Sequence, residues 1–175
     1  GKDKARVINF AGVAGAGWAE QAVTGWADAF KDTGVEIVEV KYGETGKSEQ
    51  LKLVEDALQT YDDIDAYVGV PTMAEVAPGA LEQAGLAGKV DVAAFYLTEG
   101  AYQGVLNGTV LGFASNPMVV EAAVAMDLAI RLAEGETVGK RYRMPPIWID
   151  KAFIESHDMS KFTTPPGWDV VYTVE

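Results

Sequence analysis

Short apolar runs and helical patterns alternate along most of this chain, and that alternation admits few architectures. Strand-like runs recur at residues 6–10, 35–41, 66–70, 91–95, 110–114 and 147–149. Helical patterns at 18–32, 48–61, 73–85 and 99–107 separate the first five. This order predicts an α/β protein of three layers, a parallel sheet with helices on both faces. Most of the runs are continuously apolar, as strands covered on both faces require. Pro145-Pro146 and the run Thr163-Thr164-Pro165-Pro166-Gly167 mark turns, so roughly the last thirty residues read as irregular.

Composition narrows the partners. A chain of 175 residues can bury one core, or form one lobe of something larger. Its formal net charge of −12 repels phosphate backbones and anionic lipid, which argues against nucleic acid and membrane surfaces. No apolar run approaches the roughly 20 residues needed to span a bilayer. Gly1 opens without a signal-peptide pattern, leaving a cytoplasmic protein or one whose leader was removed. Cysteine is absent, which excludes disulfides and thiol chemistry and fits either a cytosolic or a periplasmic home.

The stretch 90–118 is the most informative about function. It reads as two buried strands joined by a short helix, ending at Phe95-Tyr96-Leu97 and at Ala114-Ser115-Asn116-Pro117. In open α/β sheets, ligands bind at the carboxyl ends of the strands. Tyr96 and Asn116 are therefore predicted to sit side by side on a binding rim. Trp18 opens the first helix, and Pro71-Thr72 follow the third strand on the same rim. Aromatic faces attract cations and methylated ammonium groups. Core packing is the ordinary role of any single aromatic, but two on one rim point to a small-molecule cage.

The helix after Asn116 stands apart. Asn116 and Pro117 suit a helix start. Residues 118–133 are then nearly all apolar, interrupted only by Glu121, Asp127 and Arg131. A helix apolar almost all round is buried on several sides. Either it is a central core helix, or its partner is a second lobe outside this chain.

Other motifs carry weaker chemistry. Gly12-Val13-Ala14-Gly15-Ala16-Gly17 joins a strand to a helix, as in dinucleotide-binding folds, but the glycine spacing differs from theirs. A short-chain dehydrogenase needs a Tyr followed four residues later by a Lys, and no tyrosine here has one. Gly43-Glu44-Thr45-Gly46-Lys47-Ser48 is half of a phosphate-binding loop, with Lys41 where its first glycine belongs. Asp62, Asp63 and Asp65 read as a solvated turn at the end of the sheet away from the rim. His157, the only histidine, falls in a polar late segment. No catalytic residue, metal ligand or cofactor is assigned from these, and the chain is not expected to be an enzyme.

Several pieces together resemble a known family. They are Ile64-Asp65-Ala66, Phe95-Tyr96-Leu97 with Tyr102 and Gly104, and Ala114-Ser115 followed by Met118-Val119. Further on come Ala129-Ile130-Arg131, Pro145-Pro146-Ile147 and Pro166-Gly167-Trp168 before Tyr172. Along essentially its whole length the chain resembles the carboxy-terminal lobe of type I periplasmic binding proteins. Within that family it is most similar to the sensors of trimethylamine N-oxide respiration.

The resemblance implies a two-lobed protein joined by three crossings, of which residues 1–175 form the second lobe. The helix at about 117–134 would pack on the first lobe. Trp18, Glu20, Pro71, Thr72, Tyr96 and Asn116 would be the ligand-binding residues. Sugar-binding relatives place an aspartate at the position of Tyr96, and a tyrosine suits a methylated, cation-like ligand instead. Trp18 departs from the sensors' pattern, which is smaller there. The implied function is periplasmic sensing of trimethylamine N-oxide or a related molecule by cleft closure, read by a membrane sensor histidine kinase. One alternative is the solute-binding component of an ABC transporter for a sugar or other polar ligand, with an ABC permease as partner. Another is a Rossmann-type nucleotide-dependent enzyme using the Gly12–Gly17 loop. Alone, the chain is expected to self-associate through its exposed helix.

Overall fold

The structure is a computed structural model that describes residues 4–115, 117–164 and 167–168. Its centre is a six-stranded sheet, built from β1 (Ala5–Gly12), β2 (Val35–Tyr42), β3 (Ala66–Gly69), β4 (Asp91–Ala94), β5 (Gly112–Ser115) and β6 (Ile147–Asp150). The spatial order is β2-β1-β3-β4-β5-β6. The first five strands run parallel, each joined to the next by a helix: α1 (Gly17–Phe30), α2 (Lys47–Thr60), α3 (Pro71–Gln83) and α4 (Glu99–Asn107). The sixth departs from the expected parallel sheet and pairs antiparallel to β5, with Ser115 opposite Ile147. A parallel partner needs a crossover that returns the chain to the strand's starting end. Here the chain instead passes through α5 (Met118–Ala133) and an irregular segment, and re-enters at the end it left.

Alternation along the strands sorts side chains onto two faces. Ile8 and Phe10 of β1, Tyr67 of β3, Val92 and Ala94 of β4 and Phe113 of β5 join one large cluster. Val54 and Ala57 of α2, Met73, Ala77 and Leu81 of α3, and Ala101 and Val105 of α4 cover it. Val7, Val68 and Ala93 point to the other face, beneath Trp26 of α1. Both faces are thus covered, as the apolar runs require. On the edge, Lys41 reaches from β2 to Asp56 of α2 at 2.5 Å and to Glu39 at 2.9 Å. At the amino ends of the strands, the Asp63 and Asp65 turn is engaged by Arg6: its guanidinium pairs with Asp63 and its backbone N–H donates to Asp65 Oδ2 at 2.8 Å.

Some boundaries differ from the sequence expectation. Pro71 and Thr72 are the first two residues of α3, since proline suits that position and needs no amide partner there. Val110 is buried in the turn before β5 instead of opening it. A short helix α6 (Lys151–Ser156), capped by Asp150, and a 3-10 turn at Met159–Lys161 fall in the region read as irregular.

Asn9 sits fully buried in β1, and neither atom of its amide meets a hydrogen-bond partner among the described residues. A buried amide without a partner costs stability that an apolar side chain of similar volume does not. The variant Asn9→Leu is expected to be more stable by about 1–3 kcal/mol. Urea unfolding should show a higher midpoint at an unchanged slope; a lower midpoint would mean the amide is satisfied in solution.

The apolar helix α5 is not a core helix. None of its residues is buried, and Met126 is 64 % exposed and Ile130 52 %. One side leans on the 3-10 turn and on residues 138–144, leaving Val124 and Leu128 half-buried. Met118, Val119 and Leu132 face outward with Met126 and Ile130.

Candidate functional site

Because β1, β3 and β4 are parallel neighbours, their carboxyl ends share one rim. Four of the expected site residues are placed on it, and a fifth beside it. Trp18, in the first turn of α1, lays its indole over Gly12 at the end of β1, where a Cβ would collide with the ring. Gly12 has φ +90°, so glycine is needed there twice over, for conformation and for space. The same position lies 3.2 Å from Val70 Cγ1, the residue before Pro71. Trp18 thus covers the end of β1 while remaining 45 % exposed.

Pro71 is buried, and Thr72 beside it is half-buried. The Thr72 hydroxyl itself is enclosed and has no hydrogen-bond partner among the described residues. Tyr96 follows β4 and is half-buried; burial alone raises its phenol above the ordinary value, so it stays neutral and able to donate. Phe95 anchors this turn, donating its amide to Gly69 O at 2.8 Å and packing 6.1 Å from the Trp26 ring. Asn116, expected beside Tyr96, lies outside the described residues.

Glu20 takes a specific place. Its Oε1 accepts from the Gly15 amide at 3.1 Å, and its Oε2 accepts from the Tyr42 hydroxyl at 3.3 Å. Burial first, and the Glu20 charge second, hold the Tyr42 phenol above its ordinary value. The carboxylate thus occupies the position where a dinucleotide-binding loop would take its phosphate. A second negative charge placed beside this carboxylate would be repelled. The half phosphate-loop is also committed: Lys47 Nζ pairs with Glu75 at 2.6 Å.

Sequence reasoning missed two features of the rim. Tyr42, at the end of β2, carried a signal in being an aromatic at a strand terminus. Glu75 is the lone charge in the first ten residues of α3, and its side chain is only 9 % exposed. Besides Lys47 it receives a hydrogen bond from Thr98 Oγ1 at 2.5 Å. His157 stacks on Phe153 at 3.8 Å in α6, apart from the rim strands. A groove of about 340 Å3 at the amino ends of the strands, lined by Pro78, Glu82, Asp91 and Thr109, carries no aromatic side chain and does not compete with the rim.

The rim thus offers aromatic faces, neutral hydroxyls and one braced carboxylate, and this is equipment for holding a small molecule. Comparison with known proteins gives the family. The family described as periplasmic binding protein domain matches residues 1–137. The chain belongs to this family. It is 28 % identical over 166 residues to the periplasmic protein TorT of Escherichia coli K12, covering 95 % of this chain and 48 % of TorT. An ABC transporter solute binding protein from Bradyrhizobium sp. BTAi1, solved with bound bis-tris, is 38 % identical with a TM-score of 0.89, covering 99 % of this chain and 52 % of that one. TorT in complex with the TorS sensor domain, solved in the presence of trimethylamine N-oxide, superposes with a TM-score of 0.83 at 21 % identity, covering 99 % of this chain and 57 % of that one. The chain therefore spans about half the length of these relatives of the periplasmic binding protein family.

Proposed function

We propose that residues 1–175 form the second lobe of a two-lobed periplasmic receptor for a small methylated amine such as trimethylamine N-oxide. The observation that carries this reading is the pairing of Trp18 and Tyr96 with the unpartnered Thr72 hydroxyl on one rim. Methyl groups on a positively polarised nitrogen favour aromatic faces. The N-oxide oxygen is a strong acceptor for a hydroxyl such as that of Tyr96 or Thr72. Half of such a cage would come from the first lobe, on which α5 would rest. Ligand would then shift an open–closed equilibrium, and a membrane sensor histidine kinase would read the closed shape.

A second reading has its own support. The 38 % identity to an ABC transporter solute binding protein exceeds the 28 % to TorT. On that reading the same closure would deliver a small polar solute to an ABC permease.

Isothermal titration of the full-length protein with trimethylamine N-oxide, bis-tris and ribose separates the two. Heat from trimethylamine N-oxide alone supports the amine-oxide receptor. Heat from ribose supports the solute-binding role. No heat from any of the three, in a folded protein, overturns the choice of ligand class. The exposed side of α5 gives a separate expectation: the 175-residue chain alone should sediment as dimers or larger species. A clean folded monomer at tens of micromolar would speak against an apolar face left without its partner.

A further inference from the structure

We propose that Glu75 is a positioning residue for the candidate site, holding the Tyr96 turn in place through Thr98 while being held itself by Lys47. The inference rests on reading the rim as the ligand site. Three helices meet at this carboxylate. Glu75 belongs to the second turn of α3, Lys47 is the first residue of α2, and Thr98 is the N-cap of α4. Thr98 Oγ1 donates to Glu75 Oε1 at 2.5 Å and accepts from the Ala101 amide at 3.3 Å, so one hydroxyl both caps α4 and ties it to α3. Lys47 Nζ closes on Glu75 Oε2 at 2.6 Å. Gly100 completes the fit, since a Cβ there would collide with the Glu75 carboxylate.

Stability alone is a poor reason for this arrangement. A carboxylate as enclosed as Glu75 costs desolvation, and its partner Lys47, 67 % exposed, returns little of that cost. What the charge supplies is geometry. Tyr96 lies two residues before Thr98, and its turn is otherwise fixed by the Phe95 amide on Gly69 O. The Thr98 bond pins the other end, so Tyr96 is held between two anchors. Lys47 adds the turn at 43–47 to the same junction, and the loops that follow β2, β3 and β4 move as one body. A ligand meeting this rim then pays little ordering entropy.

The test is hydrogen–deuterium exchange on the full-length protein, read at Phe95, Ala101 and Tyr102, whose amides donate to Gly69 O, Thr98 Oγ1 and Thr98 O. Glu75→Ala leaves Thr98 free to cap α4, and is expected to speed exchange at these amides by about tenfold or more. Glu75→Gln still accepts from Thr98, and should restore most of the protection. Lys47→Met, which opens no cavity at Glu75, should act in the same direction by a smaller factor, and it reports if Glu75→Ala does not fold. Exchange within Ile8, Tyr67 and Val68 should stay unchanged. Unaltered exchange at the three amides in Glu75→Ala and Lys47→Met, or an equal rise across the whole sheet, would overturn the proposal. Titration of the same variants with trimethylamine N-oxide is a separate arm. If the wild type binds none, the ligand reading fails while the exchange result still decides the role of Glu75.

Discussion

Replacing Tyr96 by alanine is expected to weaken trimethylamine N-oxide binding to the full-length protein on the order of 100-fold, the loss typical of a central aromatic anchor. On the proposed reading the half-buried ring would supply both a face for the methyl groups and a neutral hydroxyl. Tyr96→Phe separates the two contributions: it keeps the face and loses the donor, and should cost about tenfold, as one hydrogen bond does. Trp18→Ala should cost less than Tyr96→Ala, because one side of its indole already rests on Gly12. Titration calorimetry reads all three, with melting curves to show that each variant is folded. Equal affinity in wild type and Tyr96→Ala would remove Tyr96 from the site.

The second large effect falls on the fold. Gly69 of β3 lies beside Phe10 of β1, and a Cβ there would overlap the Phe10 carbonyl oxygen and Cβ. Relief by backbone shift would break the flanking bonds, Val70 N to Phe10 O at 3.0 Å and Phe95 N to Gly69 O at 2.8 Å. Gly69→Ala is expected to destabilise by about 3 kcal/mol. For a chain of this size that lowers the melting temperature by roughly 6–12 °C. Gly79→Ala is the control: Gly79 lies exposed in α3 with open space at its Cβ, and alanine there should stabilise by about 0.5–1 kcal/mol. A near-neutral Gly69→Ala in a differential scan would mean that β1 and β3 separate more easily than their pairing shows.

The parts of this molecule that were legible in the sequence are those set by local pattern. Continuous apolar runs such as the one at 66–70 announce a strand covered on both faces, and the strand ends locate the rim and with it Tyr96, Trp18 and Pro71. The oddity of α5 was legible too, since no amphipathic stripe runs along it. What escaped depended on distant residues meeting. Glu75 is 28 residues from Lys47 and 23 from Thr98, and no spacing rule links the three. Glu20 was expected among the ligand-binding residues, whereas its carboxylate bonds to Gly15 and Tyr42 and braces the loop. The direction of β6 was hidden because nothing in Ile147-Trp148-Ile149 records which way the preceding chain has travelled.

The antiparallel sixth strand has one more consequence. Ser115 and Ile147 stand opposite each other, so in the connectivity of the sheet β5 and β6 are a hairpin, and α5 with its following segment is an insertion at its tip. The sheet closes its own hydrogen bonds whether or not that insertion has anything to rest on. Changes confined to the outward side of α5 therefore leave the hydrogen bonds of the sheet in place.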